Sequence, residues 1–155
     1  MKYIDLTQDK RAICDDEDFE YLSKFKWCVS KSGQSDMWYA ITTINKKQFT
    51  MQRIIFNSTA LFDHHDMNGL NNSRRNLREC SFSQNMMNRP KNKGEYDSEY
   101  KGVGYFKPTN KWRARLRHNY KLETVYCNTE IEAALAYNQL SEIHHGEFGY
   151  KNIIK

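Results

Sequence analysis

Residues 62–88 read FDHHDMNGLNNSRRNLRECSFSQNMMN, and the organisation of the whole chain follows from how this stretch is read. Leu61 and Phe62 are a short apolar pair able to close a strand, and Asp63 and His64 then set a carboxylate beside an imidazole. The Asn, Gly, Ser and Arg that follow are turn formers too polar for a core, so they form a loop. SFSQNMMN resumes as a short helix capped by Ser81 or Ser83, with amide side chains one turn apart.

A strand, polar loop and helix in this order would fold back so that Asp63 and Asn85 face each other across a gap. Both offer the oxygen donors that a hard divalent cation such as Mg²⁺, or Mn²⁺, prefers. Neighbouring side chains at a strand end point to opposite sides, so His64 can address a water while Asp63 holds the metal. This arrangement suits in-line phosphodiester cleavage. Asn88 is a reserve ligand, and Asp66 reads as a loop cap rather than a second ligand. With no carboxylate cluster, one metal is expected rather than two.

The ordered set Asp63-His64, Asn72, Asn76-Leu77-Arg78 and Gln84-Asn85 resembles the HNH, or ββα-metal, nucleases of phage and intron homing type. The resemblance implies that Asp63 is the strand-end metal ligand and His64 the general base. It further implies that Asn76 is the middle Asn bracing the loop, and Asn85 the helix ligand in place of the final histidine of the family name. Three positions depart from the pattern. His65 stands where a branched aliphatic is usual, Met67 where a glycine is common, and Gln52 where histidine is normal.

Upstream, KYIDLT and RAIC alternate as two short strands joined around Gln8-Asp9-Lys10. Asp15, Asp16, Glu17 and Asp18 open a helix through Phe25, placed where the helix dipole favours acids, with Phe19, Leu22 and Phe25 on its apolar face. KWCVSK and MWYAITTI form a hairpin around Ser32-Gly33-Gln34, and FTMQRIIFNSTAL is a helix packed on it.

The chain has 155 residues, 39% apolar and 14% aromatic, enough for two small modules. Mean hydropathy is −0.89, no long uncharged apolar run exists, and Met1-Lys2-Tyr3-Ile4-Asp5 lacks a signal-peptide layout. No membrane partner is therefore expected, and the location is cytoplasmic, in a bacterial or phage-infected cell. Cys14, Cys28, Cys80 and Cys127 make no C-x-x-C pair, which argues for reduced thiols and against a cysteine zinc site.

Polar residues 90–98, with Gly94 and no apolar cluster, mark a linker between an HNH module over 1–89 and a second module over 99–155. In the second module, YKGVGYF, KWRARLRH and KLETVYC are three strands. TEIEAALAYNQLSEIHHG is one amphipathic helix begun by a Thr129–Glu132 capping box. The fold class is α+β: an N-terminal module with a small antiparallel sheet and helices, then a three-stranded antiparallel sheet packed on one helix.

Net charge is +5, and Lys101, Lys107, Lys111, Arg113, Arg115, Arg117 and Lys121 lie within 101–121 with no acid among them. Trp112, Ala114 and Leu116 alternate with the three arginines, so the pleat sends the apolar set to the helix and the arginines outward, as a phosphate-facing surface. His144-His145 is expected to serve packing and capping rather than a metal.

YKGV, KWRARLR, NTEIEAALAYN, HHGEF and Asn152-Ile153 resemble the DNA-binding domain of plant APETALA and ethylene-response factors, also found appended to phage HNH endonucleases. That resemblance implies a groove-contacting face of Arg113, Arg115 and Arg117 flanked by Lys101 and Lys121. Gly104 and Phe106 replace arginines of the plant members, and Glu123 replaces a tryptophan, so the plant recognition sequence does not carry over. Together the two halves imply a site-directed, homing-type endonuclease acting on double-stranded DNA as a monomer or homodimer. The rival reading is a non-catalytic DNA-binding regulator with a degenerate HNH half.

Overall fold

The computed structural model describes residues 1–31, 37–92 and 94–155. The chain divides into two compact units, Met1–Asn85 and Met86–Lys155. Among the described residues it is an α+β protein of small antiparallel sheets and four α-helices.

In the first unit, β1 (Lys2–Asp5) and β2 (Arg11–Cys14) pair antiparallel. Their turn places Gln8 and Asp9 at φ 58° and 52°, which twists the connection to match the strands. The first helix, α1 (Asp16–Leu22), stops at Leu22, short of the expected Phe25. A three-stranded sheet follows in the order β3 (Cys28–Lys31), β4 (Trp38–Ile44), β5 (Lys47–Thr50). The expected β3–β4 turn at Ser32-Gly33-Gln34 lies outside the described residues.

The expected helix over 49–61 is corrected to a strand and a shorter helix. Asn45 and Lys46, at φ 49° and 63°, form a two-residue turn that returns the chain as β5, so Phe49 and Thr50 pair with β4. The helix α2 (Met51–Phe56) ends at Asn57, which adopts the left-handed conformation at φ 45°. Ile4, Ala12, Cys14, Leu22, Trp27, Ala40 and Met51 form the core of this unit.

The motif stretch then folds as β6 (Phe62–His64), a 3-10 turn at Arg74–Asn76, β7 (Leu77–Glu79) and α3 (Phe82–Met87), with β6 and β7 antiparallel. Ser81 is its cap: the Gln84 N–H donates to Ser81 Oγ at 3.2 Å and the Ser81 N–H to Gln84 Oε1 at 2.8 Å, a reciprocal box.

The second unit is a sheet of order β10-β9-β8, formed by β8 (Val103–Phe106), β9 (Lys111–His118) and β10 (Lys121–Cys127), backed by α4 (Glu130–His145). The expected capping box is present, with Glu132 N–H on Thr129 Oγ1 at 3.2 Å and Thr129 N–H on Glu132 Oε2 at 3.3 Å. Ala114 and Leu116 of β9 meet Ala133, Ala134, Tyr137 and Leu140 of α4 in the core. Gly102, at φ +72°, is required twice over, because a Cβ there would also stand 2.2 Å from the Tyr137 ring.

Asn138 and Asn152 exchange side-chain and backbone hydrogen bonds of 2.7 and 2.9 Å, which fastens the C-terminal segment to α4. Residues 90–98 contain no helix or strand among those described. Lys91 Nζ donates to the Ser98 carbonyl at 2.5 Å and lies over the Tyr96 ring.

Candidate active site and arginine face

Asp63 and His64 are consecutive in β6 and both are buried, at 6% and 2% exposure. They therefore work on opposite faces of the strand. Asp63 stands directly opposite Arg78 of β7, and Arg78 donates to Asp63 Oδ2 from Nε at 3.0 Å and Nη2 at 2.7 Å. Two charge-assisted bonds from one guanidinium hold Oδ2 in place and balance the carboxylate's charge. Sequence reasoning placed Arg78 in the motif without assigning it this partner.

On the other face, His64 Nε2 lies 3.3 Å from Asn72 Oδ1, and the Tyr39 ring sits 5.7 Å from the imidazole. Burial pushes the His64 pKa down, against smaller opposing effects of Asn72, Asp66 and Asp63. The imidazole is consequently neutral near pH 7, the form able to accept a proton. Asn72 is itself fully buried, and its backbone N–H donates to the Ile13 carbonyl at 2.8 Å, which pins the loop to β2. Its Nδ2 is a buried donor with no hydrogen-bond partner among the described residues.

Asn76 is bonded across the loop by both its side chain and its backbone. Its Nδ2 donates to Asp66 Oδ1 at 2.9 Å and to the Asn71 carbonyl at 2.8 Å, its Oδ1 accepts from Asp66 N at 3.0 Å, and its carbonyl accepts from His65 N at 2.9 Å. Asp66 caps the loop, accepting also from Asn68 N at 2.8 Å and Asn71 Nδ2 at 2.7 Å. Met67 adopts φ 58°, which gives a backbone reason for the glycine common at this position in the resembled family. Gly69 is needed for a different reason: a Cβ there would lie 2.4 Å from the Trp38 carbonyl oxygen.

The acidic run at the start of α1 has a second task that the sequence reading missed. Asp15 Oδ2 accepts from Arg74 N at 2.7 Å, and Asp18 takes the Arg74 guanidinium by two bonds of 2.7 and 2.8 Å. Glu17 adds an ion pair at 2.9 Å. These contacts anchor the turn that carries Asn76.

Asn85 lies on α3, half-buried, its N–H bonded to the Ser81 carbonyl at 3.0 Å. The Asp63 carboxylate and the Asn85 amide are hard oxygen donors, the type that would suit Mg²⁺ or Mn²⁺ rather than a thiophilic ion. The nearby Cys80 thiol has its pKa raised by burial and stays protonated, so it does not alter that preference. Asn88, the reserve ligand, is buried.

In the second unit, β9 alternates as expected. Ala114 and Leu116 are buried, whereas Arg115 and Arg117 are exposed and Arg113 lies with its guanidinium 4.5 Å over the Phe106 ring. Residues opposite one another across antiparallel strands share a face, so Gly104 and Tyr126 flank Arg113, Thr124 flanks Arg115 and Leu122 flanks Arg117. Lys111, at the start of β9, falls on this face too.

The two flanking lysines are placed differently from expectation. Lys121 pairs with His118, which has the parity of Leu116, so it belongs to the register of the helix-covered side. Lys101 precedes β8, and its ammonium donates to the Met87 carbonyl at 2.9 Å and the Arg89 carbonyl at 2.6 Å, over the Tyr150 ring. Burial pushes the Lys101 pKa down to about 8. A lysine spent on two carbonyls is tied into its own unit, whereas the resemblance had placed it beside the arginines.

No family model and no solved structure matches the chain. No helix among the described residues is long and apolar enough to cross a membrane. Over 136 residues the chain is 32% identical to an uncharacterized HNH endonuclease of Acanthamoeba polyphaga mimivirus, a match covering 86% of this chain and 70% of that protein. A match of that length cannot fit inside either unit alone. At this identity and coverage, and with Asp63, His64 and Asn76 assembled on the β6–loop–β7 frame, the chain belongs to the HNH endonuclease family.

Proposed function

We propose that this protein is a site-directed DNA endonuclease of the homing type, with a ββα-metal catalytic half and a sheet-borne DNA-binding half joined through residues 90–98. The observation that carries the reading is the strand-end pair, in which a neutral buried imidazole and an arginine-oriented carboxylate sit on opposite faces of β6. His64 accepts the proton of the attacking water, a task worth about 10²–10⁴-fold. Asn76 and the Arg74 anchor hold the loop that presents it, and Arg78 orients Asp63. Asp63 and Asn85 would hold one Mg²⁺ or Mn²⁺, which when bound supplies positive charge for the phosphate and the departing 3′-oxygen. The products would be a 5′-phosphate and a 3′-hydroxyl.

Arg113, Arg115 and Arg117, with Lys111 beside them, provide the double-stranded DNA contacts, and Phe106 and Tyr126 add aromatic surface to the same face. One active site per chain lets a monomer nick and a homodimer cut both strands.

Supercoiled plasmid incubated with Mg²⁺ or Mn²⁺, with EDTA as control, tests the reading. Metal-dependent nicked or linear product is expected. The near-complete burial of His64 favours a second reading, a DNA-binding regulator whose catalytic half is closed. An EDTA-insensitive gel shift with no product at any metal concentration would establish that reading instead.

A further inference from the structure

Behind the sheet of the second unit, on the side opposite the arginines, three side chains from three elements converge. His118 ends β9, Glu123 lies in β10 and His144 is in the last turn of α4. His118 Nε2 is 2.7 Å from Glu123 Oε1, and His144 Nε2 is 3.1 Å from the same oxygen. The two imidazoles stack with centroids 3.6 Å apart and planes 10° from parallel, so both Nε2 atoms face one way. All three ligand atoms lie within 4.8 Å of one another. The neighbouring His145 turns away, its Nε2 3.3 Å from the Arg117 carbonyl, and does not compete for the position.

We propose that His118, Glu123 and His144 form a second metal site, which takes one Zn²⁺ through two imidazole nitrogens and one carboxylate oxygen. Bonds of about 2.0–2.2 Å to a tetrahedral ion leave neighbouring ligand atoms roughly 3.3 Å apart. The two imidazole–carboxylate spacings, 2.7 and 3.1 Å, lie inside that distance, so binding asks the ligands to move apart by a fraction of an ångström. The donors are right for the ion: imidazole suits Zn²⁺ and not Mg²⁺, which distinguishes this set from the oxygen pair of Asp63 and Asn85.

The His118 hydrogen bond, with His144 contributing less, holds the Glu123 carboxyl below its usual range and keeps it ionised as a ligand. On binding, each imidazole gives up the Nε2 proton it donates to Glu123, is left neutral with its proton on Nδ1, and gives the freed Nε2 lone pair to the ion. The histidine side chains are only 15% and 20% exposed while Glu123 is 40% exposed, so the fourth coordination position opens to water on the Glu123 side. An ion there joins the end of α4 to the β9–β10 hairpin. Because it binds the folded chain alone, it raises the unfolding temperature with metal concentration.

The full-length protein, stripped with EDTA and exchanged into buffer, is titrated with Zn²⁺ by calorimetry and melted with and without the ion. One Zn²⁺ per chain is expected, with affinity lowered at least roughly tenfold in His118→Ala, His144→Ala and Glu123→Gln. His145→Ala and Cys28→Ser should retain it. The melting temperature should rise with Zn²⁺ in the parent and fail to rise in His144→Ala. Glu123→Gln keeps a side chain of the same shape, so it remains informative if a histidine variant does not fold. No binding by the parent, or binding that survives all three substitutions, or binding lost in Cys28→Ser, overturns the site.

Discussion

Arg78 meets Asp63 across β6 and β7, with Nε and Nη2 both donating to Oδ2 and both side chains largely out of water. Removing either partner takes from a largely buried charge the opposite charge it is hydrogen-bonded to. Asp63→Ala and Arg78→Ala should each destabilise the protein by about 3–5 kcal/mol in urea unfolding. The double variant should lose clearly less than the two together, because neither charge is then stranded. Strict additivity would show that the pair is not coupled.

His64→Ala should keep DNA and metal binding while cleavage falls by about 10²–10⁴-fold. Burial lowers the folded-state pKa of His64 below its ordinary value near 6.5. The base is thus already unprotonated at neutral pH, and the cleavage rate should be flat above pH 7 and fall on acidification below the lowered value. Stability follows the same sign. The contribution is complete above about pH 6.5, where even the unfolded imidazole is neutral, and is lost as pH falls through the folded-state pKa. A rate still climbing between pH 7 and 8 would place the base elsewhere.

Arg113→Ala, Arg115→Ala and Arg117→Ala should weaken DNA binding while the second unit stays folded. As phosphate contacts, each would flatten the salt dependence by about one unit of slope; as base contacts, each would relax specificity by about 1–3 kcal/mol at one position. Arg113 should also cost some stability, since it alone packs on Phe106. A triple variant with parental affinity and salt slope would leave the stripe as solvated surface.

Lys101→Ala should behave in the opposite way. Its ammonium satisfies the Met87 and Arg89 carbonyls, so its loss should lower the melting temperature more than Arg115→Ala does, with the salt slope of DNA binding unchanged. A flattened slope with unchanged melting would return Lys101 to the DNA face.

The sequence was most legible where one signal governed one element. KWRARLRH alternates without a break, and Thr129 with Glu132 announces the start of α4, so that sheet and helix could be read directly. KQFT carries no clean alternation and runs into Met51 without a turn former, which is why β5 merged with α2 in the reading; the left-handed Asn45–Lys46 turn that folds it back on β4 sits before it, and no breaker follows it. Lys101 and Lys121 were grouped with the arginines by resemblance and nearness in the chain; strand register turns Lys121 to the other side, and two carbonyls hold the Lys101 ammonium. The long-range partnerships, Arg74 with Asp15 and Asp18, and His144 with Glu123 and His118, join residues from different elements and leave no periodic trace in one chain.

The alternation of β9 has a consequence for how such a protein changes over generations. Core duty falls on Ala114 and Leu116, while the outward positions 115 and 117 carry no packing, and surface substitutions of that kind usually alter stability by no more than about ±0.5 kcal/mol. If the outward set is the address, a lineage can drift to new genomic targets one residue at a time, with the scaffold beneath it never passing through an unfolded ancestor.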